Sequence, residues 1–565
     1  YKRQPLGIDV SQPRFNWQME SDRYGACGQA YRLWVADSPE QLAAGRYIYD
    51  SGKVLSGESV GVVYQGKALQ PSTRYYWKVS VWDESGTEIT STEPAWFETG
   101  LLGSGWSGAR WIGSSETQLS KYRSHYVIDY DVRVAEGNDK AAFVFGARDA
   151  DNYVSAELDL NGSGDARFIL RHTTDGKTTQ DASESLASII PASDKHKAHH
   201  IRLKVTTAQY ALKYFVDIEI DGKTLVNSSL TPEEKERKSR GDFWGGKEGA
   251  FTVYPYPDGE LVYHCRLYAI GFLQPKGQTA TFSNLRISED TWNTLLYNPA
   301  ETYVEKGEGK LNVWYPGENV SAPMLRKTIK IEKPVKSARL YATARGVYEF
   351  SVNGQKVGKD YLNPGWTDYR YRIMYNTYDI TDLLRPGDNG IGAMLGAGWW
   401  SEHSGFLTGW QDQYGTRQSL LGKIVIEYAD GTRETIVTND SWKCYDRGPI
   451  TFNGLQNGEE YDARKEVNGW DAPGFDDSSW KPATLFAAPP VNVEIQGYVG
   501  SPIQNNVTLT AQSMVEPIPG VYVYDMGQNM VGVPRLTFKG KAGQEITIRF
   551  GEMNYPETVS YTHLT

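Results

Sequence analysis

The sequence predicts an all-β chain of several modules, on three observations. Tyrosine (37), tryptophan (17) and glycine (57) are abundant. Strand-length runs of alternating polarity sit between Asn-Gly, Asp-Gly and Pro-Gly turn pairs, and the Ala/Leu/Glu/Lys-rich periodic segments of long helices are nearly missing. At 565 residues the chain exceeds a single core and divides into roughly three to five domains.

Residues 1–104 read as a small fibronectin type III/Ig-like sandwich. Its strands are Tyr31-Arg-Leu-Trp-Val-Ala36, Tyr75-Tyr-Trp-Lys-Val-Ser-Val-Trp82 and Ala95-Trp-Phe-Glu-Thr99, with a turn at Asp83-Glu-Ser-Gly86. Residues 105–295 read as a lectin-like jelly roll of the concanavalin/laminin-G type. Strand runs lie at 141–147, 200–205, 214–220 and 280–287, with a hairpin signal at Asp221-Gly222. Within it, Asp149, Asp151, Asn152 and Tyr153 are a candidate sugar or calcium rim, or plain turn chemistry. The Glu233–Lys238 charge run is a solvated helix or loop. His196, His199 and His200 precede a strand without a carboxylate or cysteine nearby in sequence, which argues against a metal.

Residues 305–488 read as a second jelly roll, and 489–565 as the start of another β-domain. The third module carries the densest chemistry. Val352 to Tyr378 reads VNGQKVGKDYLNPGWTDYRYRIMYNTY, and Leu395-Gly-Ala-Gly-Trp-Trp400 follows. Carboxylates, amides, tyrosines and indoles around tight turns are what a β-scaffold uses to stack on a sugar ring while bonding its hydroxyls. Carbohydrate is therefore the expected ligand. The candidate binding residues are Asp360, Asn363, Trp366, Asp368, Tyr369, Trp399, Trp400, Asn457 and Glu459. The alternative reading gives these residues to packing and turns.

Composition excludes several classes. The net charge of −10 carries no basic block suited to a phosphate backbone, so no nucleic acid is expected. No run of about 18 apolar residues is present to span a membrane, and the chain starts without the basic and apolar regions of a signal peptide. Cys27, Cys265 and Cys444 are too few and too far apart for a disulfide framework or a CxxC metal site, and read as buried thiols.

At these residues the chain resembles bacterial α-L-rhamnosidases, glycoside hydrolase family 78. Pro5-Leu-Gly-Ile-Asp-Val10 with Pro13-Arg14 and Trp17, Asp50-Ser-Gly-Lys-Val54, Tyr75-Tyr-Trp-Lys-Val79 and Trp111-Ile-Gly113 are similar to the family's amino-terminal sandwich. The 352–378 motif, Gly398-Trp399, Asn457-Gly-Glu459 and Tyr461-Asp-Ala-Arg464 resemble its N-terminal jelly roll. Asp525-Met-Gly-Gln-Asn529 and Phe550-Gly-Glu-Met553 resemble the start of the next β-domain.

The resemblance implies a parent enzyme that hydrolyses terminal α-L-rhamnose from glycosides with inversion and without an organic cofactor. It implies a catalytic (α/α)6 barrel beyond these domains, so no catalytic residue is assigned here and the chain alone is expected to be inactive. The family's related binding modules use a calcium ion, for which Asp360 and Asn363 are candidate oxygen donors. The expected partners are rhamnose-containing glycosides or polysaccharides and the C-terminal catalytic domain, and the expected address is extracytoplasmic, periplasmic or secreted. The alternative is a free-standing, multidomain carbohydrate-binding protein without hydrolase activity.

Overall fold

The structure is a computed structural model that describes residues 5–103, 105–116, 119, 123–162, 164–207, 214–233, 251–253, 266–289, 294–317, 320–401, 412–455, 458–551, 553–554 and 560–561. The chain forms two compact units, Tyr1–Ser501 and Pro502–Thr565. As the composition implies, nearly all regular structure is strand.

The first unit opens on a sandwich. Gly28–Ala36 and Arg74–Asp83 pair antiparallel at the centre of a five-stranded sheet, and Arg14–Phe15 pairs with Val62–Val63. Alternation sends Tyr31, Leu33 and Val35 into a core shared with Phe15, Tyr75 and Phe97. The short α-helix Pro39–Ala43 has proline in its first turn and is capped by Ser38, whose hydroxyl accepts from the Gln41 amide at 3.2 Å. Its Leu42 covers Trp34, which the strand period had turned away from the main core.

The second module stacks a six-stranded on an eight-stranded antiparallel sheet. His125–Val134 lies in the eight-stranded sheet between His199–Thr207 and Thr279–Ser288. Tyr126, Ile128, Tyr130 and Val132 enter the core, and Asp129 and Asp131 take the other face.

The third module is also a sandwich, of six and seven strands. Ser419–Tyr428 and Val335–Arg345 form the longest ladder of the seven-stranded sheet, and Val347–Val352 with Gly387–Gly396 forms the opposing layer. The Asn353-Gly354 pair makes the tight hairpin it signals, with φ of 54° and 77°.

Strand pairing moves the boundaries read from the sequence. Trp111–Gly113, placed by sequence in the 105–295 module, pairs with Ser419–Tyr428 and Thr484–Phe486 of the third. Tyr303–Lys306 and Asn312–Trp314, near the start of the sequence-based 305–488 module, pair with Thr279–Ser288 and Ala269–Phe272 of the second. Glu494–Gly497, read as part of 489–565, pairs in parallel with Arg372–Asp379. The cause is the same in each case: an apolar strand advertises its need for a partner but not which distant strand satisfies it. The second module is thus inserted within the third.

Buried polar contacts join the modules. The Asp9 carboxylate accepts from the Leu102 amide at 2.5 Å and the Gly497 amide at 2.7 Å. The Arg339 guanidinium donates to both Glu98 oxygens at 2.6 and 3.2 Å. The histidine cluster has carboxylate partners after all, supplied by neighbouring strands. His199 Nδ1 lies 2.8 Å from Asp221, and His200 Nδ1 lies 2.7 Å from Asp131. Asp149 takes the amides of Asp151 and Asn152 at 2.9 and 2.7 Å, so part of that acidic rim is committed to its own turn.

Of the three cysteines, Cys265 and the greater part of the 233–238 charge run lie outside the described residues. Cys27 is exposed, contrary to the buried-thiol reading, whereas Cys444 is buried and its thiol is pushed up to about 12 by that burial. Iodoacetamide at pH 8 is therefore expected to alkylate Cys27 and to leave Cys444 unmodified, as read by peptide mass mapping. Modification of both at similar rates would mean the third module opens readily.

The second unit contains an antiparallel hairpin, Ser513–Ile518 with Val521–Asp525, and a short pair, Met553–Asn554 with Ser560–Tyr561. In its Asp525–Asn529 motif the Gly527 amide donates to the Asp525 carboxylate at 2.7 Å.

Candidate functional site

The segment from Asp360 to Arg372 is folded by its own turns. The Leu362 carbonyl accepts from the Gly365 amide at 2.9 Å, and the Asp368 carbonyl accepts from the Tyr371 and Arg372 amides, both at 2.9 Å. These turns split the candidate residues into two groups.

The first group is aromatic. Trp366 is 55% exposed, and its ring lies parallel to that of Trp399, 10° apart in plane with centroids at 6.4 Å. Trp366 is therefore not the core plug of the packing alternative. An exposed indole supported by a second parallel ring is an apolar shelf of the kind that meets the C–H face of a pyranose. Beside it, Arg370 grips Asp368 through two bonds of 2.8 and 2.6 Å. That guanidinium holds the Asp368 carboxyl below its ordinary range, so both groups stay charged at neutral pH.

Behind the shelf, Tyr369 packs inward against the partly buried Trp400. Tyr369 is 3% exposed, donates its hydroxyl to the Gly365 carbonyl at 3.1 Å, and meets Trp400 and Tyr414 edge to face at 5.4 and 5.0 Å. Burial raises its phenol well above the ordinary value. The Arg345 guanidinium lies over the Trp400 ring at 5.3 Å and over the Trp111 ring at 4.5 Å. Burial lowers the Arg345 pKa, yet an arginine starts high enough to remain charged. A Cβ on Gly415 would come within 2.8 Å of the Trp400 ring, so only glycine fits there. Tyr369 is thus enclosed behind the shelf, a correction to its place among the binding residues, whereas Trp400, like Trp399, is only partly buried.

The second group is Asp360 and Asn363. Asn363 is 8% exposed, and its carbonyl accepts from the Tyr348 amide at 2.9 Å. Asp360 acts on the Tyr348 and Tyr378 phenols, adding to the burial that raises both. Among the described residues no group of three or more His, Cys, Asp or Glu side chains is gathered for a metal. Calcium takes six to eight oxygens, usually several from carboxylates, and Asp360 with a buried Asn363 does not fit that demand. No step is assigned to calcium.

Glu459 belongs to a hairpin, Gly458–Tyr461 with Ile450–Gly454, in register with Asn453. The Asn453 side chain accepts from the Ala397 amide at 2.6 Å. This ties the exposed Glu459 strand to the segment that carries Trp399. Asn457 lies outside the described residues.

The sequence reading missed Arg370, Tyr414 and Arg345. Arg370 is legible as the second residue after Asp368, the spacing of a side chain returning over its own turn. Tyr414 and Arg345 carry no local signal, because the rings they meet come from other loops.

Family models match three stretches of the chain. Residues 1–103 match the Rha78A-like N-terminal immunoglobulin domain, 333–504 the alpha-L-rhamnosidase N-terminal domain, and 516–564 the bacterial alpha-L-rhamnosidase concanavalin-like domain. An alpha-L-rhamnosidase of Streptomyces avermitilis is 33% identical over 598 residues, covering 100% of this chain and 51% of its own length. One from Alteromonas sp. is 38% identical over 229 residues, 40% of this chain and 25% of its own.

Among solved structures, Streptomyces avermitilis alpha-L-rhamnosidase complexed with L-rhamnose superposes with a TM-score of 0.57 at 29% identity, over 94% of this chain and 48% of that one. The alpha-L-rhamnosidase from Dictyoglumus thermophilum gives 0.53 at 25% identity, over 93% and 38%. The chain spans about half the length of its Streptomyces relative.

Proposed function

Because this chain belongs, through its amino-terminal β-domains, to the α-L-rhamnosidases of glycoside hydrolase family 78, we propose that it serves as the substrate-presenting part of an enzyme that removes terminal α-L-rhamnose from glycosides. The shelf of Trp366 and Trp399 meets the apolar face of the sugar, and the Asp368–Arg370 pair meets its hydroxyls. The exposed Trp366 indole, parallel to the partly buried Trp399 ring, carries this reading. Rhamnose combines a C5 methyl with three free hydroxyls, so a ligand of this kind matches an apolar shelf flanked by charged donors and acceptors.

Bond cleavage belongs to a neighbouring catalytic domain. Inversion there requires one carboxylic acid to protonate the leaving oxygen and a second carboxylate, about 6.5–9.5 Å away, to activate water. We place none of those groups in this chain. The address proposed is extracytoplasmic, where polymeric and plant-derived glycosides are met.

Calorimetric titration of the full chain with L-rhamnose tests the shelf. Trp366→Ala is expected to weaken binding at least about tenfold, roughly 1.4 kcal/mol, with unchanged circular dichroism because the indole is exposed. Heat indistinguishable from buffer dilution for the unaltered chain, or identical isotherms for both proteins, would remove the shelf from the ligand pathway.

A further inference from the structure

The outer face of the eight-stranded sheet in the second module holds a concavity of about 440 Å³, lined by Asp129, Asp131, His200, Arg202, Asn284, Arg286, Ser288 and Asn298. That volume falls within the roughly 300–1,000 Å³ of small-ligand clefts. The strand period builds it: residues between the core positions of 125–134, 199–207 and 279–288 all face outward here. A bulge between Ser283 and Arg286 re-aims the third strand, and Asn284 absorbs it with a φ of 54°.

The charges in this concavity are unevenly matched. Arg202 donates to both Asp129 oxygens at 2.9 and 3.2 Å. Asp131 is met by His200 Nδ1 at 2.7 Å and by the Asn284 amide at 2.6 Å. Both carboxylates are therefore engaged. Arg286 stands opposite Asp129 in the strand register, and Asp129 already has its partner. Among the described residues no carboxylate pairs with the Arg286 guanidinium. One cation without a carboxylate partner of its own, Arg286, remains in a lining that also carries Asn284, Asn298 and Ser288.

We infer that this concavity is a second saccharide-binding site, specific for a sugar that bears a carboxylate, such as a uronic acid residue. Arg286 takes the carboxylate through its planar fork, while Asn284, Asn298, Ser288 and the free lone pairs of the two aspartates meet the hydroxyls. The site lies in a different module from the indole shelf and has no aromatic platform, so its chemistry selects a different part of a glycan. It does not depend on the shelf being a sugar site.

The test uses the full chain and saturation-transfer NMR titration with methyl β-D-glucuronoside, methyl β-D-glucoside and acetate. The glucuronoside is expected to bind at least about tenfold more tightly than either of the others. Arg286→Ala removes that preference, and Trp366→Ala leaves it intact. Equal binding of glucuronoside and glucoside, or a preference that survives Arg286→Ala, overturns the proposal. Acetate matching the glucuronoside reduces the site to an anion contact and equally overturns it, and a preference lost with Trp366→Ala places the ligand elsewhere.

Discussion

Replacing Arg123 by methionine is expected to lower stability by about 3–5 kcal/mol. The guanidinium and its partner Asp412 are among the most deeply buried charges of the chain, with side chains 1% and 2% exposed and an N–O separation of 2.5 Å. They join the start of the inserted module to a loop of its host. Removing the cation alone strips a buried carboxylate of its Arg123 counter-charge in a medium of low dielectric, which costs far more than an attraction lost at the surface.

The companion double variant, Arg123→Met with Asp412→Leu, is expected to recover most of the loss, since the desolvation cost disappears with the charges. Urea unfolding followed by tryptophan fluorescence reads the effect as a shift of the first cooperative transition. A loss below about 1 kcal/mol for the single variant would mean that water reaches the pair.

The second large effect concerns Arg326, whose side chain is fully buried. It donates to the carbonyls of Trp470, Phe475 and Ala472 at 2.7, 3.4 and 3.3 Å and to the Thr328 hydroxyl at 3.2 Å, pairs with Asp477, and lies over the Phe475 ring. One side chain therefore satisfies a whole excursion of backbone between residues 467 and 480. The Trp470 and Trp480 rings of that excursion stack in turn, with centroids 6.1 Å apart.

Arg326→Ala is expected to cost about 3–5 kcal/mol, because it strands both a carboxylate and several carbonyls. Arg326→Lys is expected to recover less than half of this. An ammonium carries three donors on a flexible stem and cannot reproduce a planar fork that reaches five acceptors. Calorimetric melting of both variants checks the ranking, and a lysine variant as stable as the original chain would refute the geometric argument.

Much of the fold was legible because β-structure writes itself locally. The run at 200–205 alternates between polar and apolar residues, and the structure buries Ile201, Leu203 and Val205 and turns His200 and Arg202 to the other face. Asp221-Gly222 and Asn353-Gly354 make turns with both residues at positive φ, as dipeptides of that type require. The placement of Trp111–Gly113 was not legible, since its partner strand lies about 300 residues along the chain. Nothing within a three-residue apolar strand encodes that distance.

The candidate site divides on the same line. The composition of 360–371 announced an aromatic, polar surface, and Trp366 stands on it. Sequence did not separate Trp366 from Tyr369, three residues apart and both aromatic: the first follows the 362–365 turn and is exposed, the second lies inside the 368–371 turn and is buried. Nor did it reveal that Trp400 meets Tyr414 and Arg345. Local pattern specifies which residue types gather, and long-range packing decides which of them meet solvent.

The pairing of Trp111–Gly113 with Ser419–Tyr428 and Thr484–Phe486 also orders events at the ribosome. The guest sandwich has all its strands in hand once residue 314 emerges. Its host must hold an unpartnered edge open until residue 486 has been made. At roughly 5–20 residues per second, that wait lasts on the order of ten seconds or more, a window in which the nascent edge is open to chaperones and to mispairing with a neighbouring chain.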